Sequence, residues 1–110
     1  MEQLLKQVNF LINEELDRAN KKHGNLASAH EGYAVILEEK EEAEEAMLTM
    51  RGWLADFWTA VKKDDLESAL RFCAMAESSA MLAAGEIIQT AAMARKIRNA
   101  IKGKTEGKEG

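Results

Sequence analysis

Four residues of this chain carry side-chain oxygens at a spacing that suits metal binding: Glu39, Glu42, Glu86 and Gln89. The two members of each pair are three positions apart, so on a helix their side chains lie within reach of each other. Two carboxylates this close repel each other, and burial strengthens the repulsion. A hard divalent cation such as Mg²⁺, which prefers oxygen ligands, relieves it. If the two segments are helices that pack face to face, the four side chains converge.

Glu39 and Glu42 belong to a run of acidic residues at positions 38–45. Such a run is most often a solvated helix face. Helical geometry at 100° per residue separates its members, because Glu39 falls at the edge of an apolar face and Glu42 lies one turn further on. Glu38 points further from the core. The pair Glu39 and Glu42 is therefore singled out as a candidate Mg²⁺ site.

Glu86 lies inside an apolar stripe of a later helix, among Leu82, Met93 and Ile97. Charged side chains rarely occupy such a position unless they are paired or bound to a metal. Gln89 lies at the edge of the same turn. Two interpretations stay open: Glu86 belongs to a metal site, or it pairs with a Lys or Arg of a neighbouring chain or emerges at a helix end.

The elements that position these residues are predicted to be helices. The chain has 110 residues and no proline, and it is rich in Ala, Leu, Glu, Lys and Met, which favour helix. Apolar residues recur at helical spacing over residues 2–21. The sequence Ser28-Ala29-His30-Glu31 matches a capping box, so a second helix is predicted from about residue 29. It is expected to run to about residue 50 and then to bend or to continue to about 62.

A third helix is predicted from Leu66 to Ile101, with Asp64 and Glu67 as its candidate cap. Residues 1–102 then form a single all-α domain, an antiparallel bundle of three to four long helices. Residues 103–110 are predicted to be a disordered tail. The segment 66–94 is apolar on more than one face, which favours burial against another subunit. We therefore expect a homo-oligomer, a dimer at least.

The chain resembles the MazG-like, all-α nucleoside triphosphate pyrophosphatases over about residues 28–100. Besides Glu39-x-x-Glu42 and Glu86-x-x-Gln89, the stretches His30–Glu39 and Ile88–Ala94 are similar to small phage-type and bacterial members. The second motif of the family ends in Asp, whereas this chain has Gln89, which offers an amide oxygen without charge. The segment between the two motifs is also longer than is usual in the family.

The resemblance implies hydrolysis of a nucleoside triphosphate to the monophosphate and pyrophosphate. It implies that Mg²⁺ is held by Glu39 and Glu42 from one helix and by Glu86 from another, with Gln89 in the fourth place. Glu42 or Glu38 would orient the attacking water. The alternative function is a non-catalytic helical oligomer that acts as an interaction module.

Two further residues are candidate contacts for a bound nucleotide. Lys96 lies near the Gln89 side of the last helix and is a candidate phosphate contact; the alternative is a solvated surface lysine. His30 lies in the first turn of the second helix and is a candidate ligand contact; the alternative is a structural or solvated histidine. Trp53 and Trp58 are predicted to lie in the core or an interface, with stacking on a base as the alternative.

Composition excludes several classes of partner. The formal net charge is −4 and no basic stripe is present, so duplex nucleic acid is not an expected partner. No stretch approaches the roughly 20 apolar residues that span a bilayer, so no membrane partner is expected. The single cysteine, Cys73, fits a reducing compartment and is predicted to be buried. The N-terminal segment lacks the apolar core of a secretory signal, so a cytoplasmic protein is expected.

Overall fold

The computed structural model describes residues 1–23 and 28–109, and in these two ranges the chain is all-helical. Three helices follow one another: α1 (Glu2–His23), α2 (Ala29–Lys62) and α3 (Leu66–Glu109). The predicted all-α fold class is therefore confirmed. None of these helices has the length and apolar content that crossing a membrane requires.

The start of α2 is fixed by a side-chain cap. The hydroxyl oxygen of Ser28 accepts a hydrogen bond from the backbone N–H of Glu31 at 3.1 Å, which satisfies one of the first-turn amides. This confirms Ser28 as the N-cap. Gly52 does not interrupt the helix, since α2 runs unbroken to Lys62. Of the two predicted courses beyond residue 50, the continuation is the correct one.

Three residues connect α2 to α3. The backbone N–H of Asp65 donates to the carbonyl of Ala60, and that of Asp64 donates to the carbonyl of Val61, which is the Schellman pattern of a helix end. Asp64 has a positive φ of 56°, a left-handed conformation that Asp tolerates better than most residues. Asp64 thus ends α2, and its predicted role as cap of α3 is wrong. That cap is Asp65, whose carboxylate accepts a hydrogen bond from the N–H of Ser68 at 3.1 Å.

Asp65 gives the fold a pH-dependent element. The hydrogen bonds from Ser68 favour the carboxylate and lower the pKa of Asp65 below its ordinary value of 3.8. A lowered pKa means that the cap stabilises the fold above pH 3.8 and that its contribution is lost as the pH falls through the folded-state pKa.

We expect Asp65→Ala to lower the melting temperature at neutral pH, and the difference from wild type to shrink in acid. Thermal melts followed by circular dichroism from neutral to acidic pH measure this. Asp56→Ala, in the middle of α2, controls for loss of a charge, and a pH-independent deficit would contradict the assignment.

The end of α3 differs from the prediction. Residues 103–109 belong to the helix, whereas the sequence predicts a disordered tail there. Extending an existing helix adds a hydrogen bond per residue without a new nucleation cost. Two local contacts accompany the extension: the Thr105 hydroxyl donates to the carbonyl of Ile101 at 3.0 Å, and Lys102 lies 3.9 Å from Glu106.

The buried sides of α2 and α3 follow a strict repeat in which successive positions are three and four residues apart in alternation. We call these positions the seam. Its members on α2 are Gly32, Ile36, Glu39, Ala43, Ala46, Met50, Trp53, Phe57 and Ala60, all buried or half-buried. Its members on α3 are Ala69, Phe72, Ala76, Ser79, Ala83, Glu86, Thr90, Met93 and Ile97. This spacing is that of coiled-coil packing, and its many alanines allow helices to approach closely. Glu39 and Glu86 are the two acidic residues of the seam.

The chain divides into two compact units. Unit one consists of Met1–Lys40 and Ile87–Gly110, and unit two consists of Glu41–Glu86. In unit one, the guanidinium of Arg95 on α3 donates to the side-chain oxygens of Asn13 and Asn9 on α1, at 2.7 and 2.8 Å. These two hydrogen bonds join the first and last helices of unit one.

Unit two is a helical hairpin with aromatic side chains in its seam. Trp53 is half-buried and stacks on Phe72 with ring centroids 6.0 Å apart, which confirms a core role for Trp53. Trp58 is exposed, and the ammonium of Lys62 lies 5.6 Å from its ring centroid, so Trp58 is not a core residue. Cys73 is also exposed, contrary to prediction, because it follows seam residue Phe72 by 100° and points away from the seam.

Candidate functional site

Two acidic residues of unit two, Glu42 and Glu86, line an open pocket. Glu42 comes from α2, and Glu86 comes from α3 as the last residue of this unit. A carboxylate oxygen of each lies within 4.8 Å of the other. The pocket has a volume of about 340 Å³. Its lining residues are Glu42, Glu45, Ala46, Thr49, Leu82 and Glu86.

The pair Glu42 and Glu86 differs from an ordinary surface pair of acids in its burial. Glu86 is half-buried at a seam position, whereas Glu42 is exposed. Two carboxylates at this separation repel each other, and water screens the repulsion least at the half-buried one. The arrangement therefore favours a divalent cation, which carries the opposite charge and accepts hard oxygen ligands.

Glu39 lies one turn before Glu42 on α2. Glu39 is half-buried at a seam position, as its predicted place on the apolar boundary implies.

Gln89 and Glu39 both lie in unit one, where they line a second pocket of about 330 Å³. This pocket is formed by Glu15, Arg18, Ala19, Glu39, Gln89, Ala92 and Met93. Gln89 itself is exposed. The structure thus brings Glu39 and Gln89 to one pocket, and Glu42 and Glu86 to another.

Sequence reasoning did not find the contribution of α1 to the unit-one pocket. Glu15 and Arg18 form an ion pair with i, i+3 spacing at its lining. The available signal was their position beside the apolar stripe of α1, on the turn that follows the buried Ile12. That stripe shows which face of α1 is covered, but it does not show which residues of α2 and α3 cover it.

The remaining predicted site residues lie in different environments. Glu38 and His30 are exposed. Lys96 is only 7% exposed, so the alternative of a solvated surface lysine is wrong. Its ammonium nitrogen has no hydrogen-bond partner among the described residues.

Comparison with known proteins neither supports nor contradicts a functional assignment for this chain. Neither a protein-family model, nor a curated protein, nor a solved structure matches the chain. The resemblance to MazG-like pyrophosphatases therefore stays a prediction, carried by the spacing of the acidic residues and the two similar stretches.

Proposed function

We propose that this chain hydrolyses a nucleoside triphosphate to the monophosphate and pyrophosphate in the presence of Mg²⁺. The observation that supports this most directly is the pair Glu42 and Glu86, with carboxylate oxygens within 4.8 Å in a pocket open to solvent. Glu39, one turn before Glu42 in the sequence of α2, is a third carboxylate that the sequence predicts as a ligand. Hard oxygen donors without histidine or cysteine suit Mg²⁺ better than a soft transition metal.

Each acidic residue has a role in this proposal. Glu42 and Glu86 hold the cation, and the resemblance to MazG-like proteins implies Glu39 as a further ligand. Mg²⁺, when bound, supplies positive charge that stabilises the charge developing on the triphosphate in the transition state. Glu42 or the exposed Glu38 orients the attacking water and accepts its proton. Gln89 offers an oxygen but no charge, so the proposal depends on the carboxylates.

The proposal is tested by pyrophosphate release from a panel of ribo- and deoxyribonucleoside triphosphates with Mg²⁺. We expect turnover of at least one nucleotide by the wild type and a loss of about a hundredfold or more in Glu86→Gln and Glu39→Gln, since loss of one ligand weakens both binding and catalysis. Glu41→Gln is the matched control, because it removes an exposed charge from the same helix. No turnover of any nucleotide would refute the hydrolase. Mg²⁺-dependent nucleotide binding without turnover would indicate a nucleotide sensor instead.

A second proposal is that the chain acts as a non-catalytic homo-oligomer that serves as an interaction module. It is favoured by large apolar side chains of unit two that remain in solvent, among them Leu48 at 63% and Leu70 at 74% exposure. A two-helix unit leaves such faces uncovered, and a second copy of the chain would cover them. We expect a dimer or a tetramer in sedimentation velocity at micromolar concentration. A single monomer peak would contradict self-association.

A further inference from the structure

The two units of this chain carry net charges of opposite sign. Unit one has eleven Lys and Arg residues against nine Asp and Glu residues, a formal charge of +2, whereas unit two has four against ten, a formal charge of −6. The cations of unit one are unevenly spread, because six of the eleven lie between positions 95 and 108 of α3. A cationic surface in this part of unit one is attracted to the acidic unit of a second copy.

Three of these cations lie on one face of α3. Arg95, Arg98 and Lys102 are three and four positions apart, so their side chains are neighbours on the helix. Arg95 donates to the two asparagines of α1 described above, and Arg98 donates to Asn99 at 3.4 Å. An amide oxygen positions a guanidinium without neutralising it. Lys102 is paired with Glu106 at 3.9 Å, but both side chains are exposed, and such a pair is weak enough to exchange for another carboxylate.

Helix α1 adds a lysine and an aromatic ring beside this face. Phe10 precedes Asn13 by three positions and follows Lys6 by four, so both lie on the same side of α1 as Asn13, which contacts Arg95. Phe10 is 61% exposed. The cations come from the two ends of the chain, so the sequence shows no basic stripe. We call the following residues the basic surface of unit one: Lys6, Phe10, Arg95, Arg98 and Lys102.

Unit two has a surface of complementary chemistry. Glu45 and Leu48 are three positions apart on α2, and both are exposed. A carboxylate beside a leucine matches a guanidinium beside a phenylalanine, because the ion pair gives specificity and the apolar pair removes apolar area from water. A nucleic acid fits the basic surface less well, since the charge of −6 on unit two repels a long polyanion.

From these observations we infer that the basic surface of unit one binds unit two of a second copy at Glu45 and Leu48. Arg98 and Lys102 pair with the carboxylate of Glu45. Phe10 packs against Leu48. The inference rests on the self-association proposed above, and it adds which surfaces meet and that charge holds them together. Salt distinguishes this contact from an apolar one, because it screens ion pairs between exposed groups and does not weaken apolar burial.

The test is sedimentation velocity of the full chain at micromolar concentration in about 0.05 M and about 0.5 M NaCl. We expect self-association that weakens at the higher salt concentration. Arg98→Glu and Glu45→Lys should each weaken it by about tenfold or more, since each places like charges opposite each other. An equal mixture of the two variants should associate again, because opposite charges then face each other across the contact. Lys104→Glu is the matched control, since it reverses an exposed charge six positions from Arg98, on another side of α3.

The recovery in the mixture is the deciding result, because a variant that merely unfolds is not rescued by mixing. Association that is unchanged in both variants, or that does not weaken in high salt, overturns the inference and leaves an apolar interface as the basis of self-association. A wild type that is monomeric at both salt concentrations refutes self-association itself. Binding of a single-stranded oligonucleotide by a monomeric wild type, with loss of binding in Arg98→Glu, would assign the basic surface to nucleic acid instead. None of these outcomes depends on hydrolysis.

Discussion

Mg²⁺ is expected to stabilise the wild-type protein against thermal unfolding and to lose this effect in Glu86→Gln. A ligand that binds only the folded state contributes about 2.7 kcal/mol when its concentration is a hundred times its dissociation constant. Glu86 is half-buried and has a carboxylate oxygen within 4.8 Å of one from Glu42. Without a cation, neutralising Glu86 removes repulsion and should raise the melting temperature. With saturating Mg²⁺, the wild type should gain far more than the variant.

The measurement is a set of thermal melts of both proteins in EDTA and across a Mg²⁺ titration. Glu77→Gln is the matched control, because Glu77 is an exposed acid on α3 outside the pocket that Glu86 lines. Its Mg²⁺ response should equal that of the wild type. If Glu86→Gln is more stable than wild type with and without Mg²⁺ by the same amount, the acids are merely repulsive, and the interaction-module proposal is favoured.

Gly32→Ala is expected to destabilise the protein although Ala is the better helix former. A Cβ atom at Gly32 would lie 2.8 Å from Cγ2 and 3.0 Å from Cγ1 of Ile97, which is itself buried. These two atoms are bonded to Cβ of Ile97, so they can move away only if the side chain leaves its position or the helices separate. Overpacking of this kind costs about 1–3 kcal/mol, whereas the gain in helix propensity is only about 1 kcal/mol. Urea unfolding should therefore show a net loss of stability.

Gly85→Ala provides the comparison, because a Cβ placed there meets no atom within 4 Å among the described residues, apart from its chain neighbours and the backbone of its own helix. It should raise stability by about 0.5–1 kcal/mol through helix propensity alone. A double-mutant cycle with Ile97→Ala tests the cause, since the cost of Gly32→Ala should fall once the Ile97 side chain is removed. A cost that is unchanged in the Ile97→Ala background would show that the close approach is not its origin.

Local chemistry made much of the fold predictable. Ser28 was identified as the cap of α2 because the capping signal lies within four consecutive residues. The positions of Glu39 and Glu86 on buried faces followed from helical periodicity, which depends only on the helix that carries them. Asp64 was assigned as the cap in place of Asp65 because Glu67 completes a capping-box pattern with Asp64, whereas Ser68 stands three positions after Asp65. The left-handed backbone of Asp64 shows that this residue ends α2 instead.

Features that depend on which helices meet were not predictable in the same way. The burial of Lys96 depends on which elements pack against α3, and the pocket lined by Arg18 combines residues of all three helices, whereas a single helix face does not specify its neighbour. Cys73 is exposed because it lies outside the seam, whose positions are three and four residues apart in alternation. An apolar sequence such as that around Cys73 does not show which of its small residues face the partner helix.

The seam repeat also sets a rule for how the length of this protein can change in evolution. Deleting or inserting one residue in the hairpin of unit two would rotate every following side chain by about 100° and break the repeat. Removing seven residues from each arm would leave every remaining seam residue facing the same way. The distance along the chain between Glu42 and Glu86 is therefore free to vary, but in steps of about fourteen residues. A chain that keeps the same acidic pair but has a shorter hairpin is expected to be shorter by a multiple of about fourteen residues between the two acids.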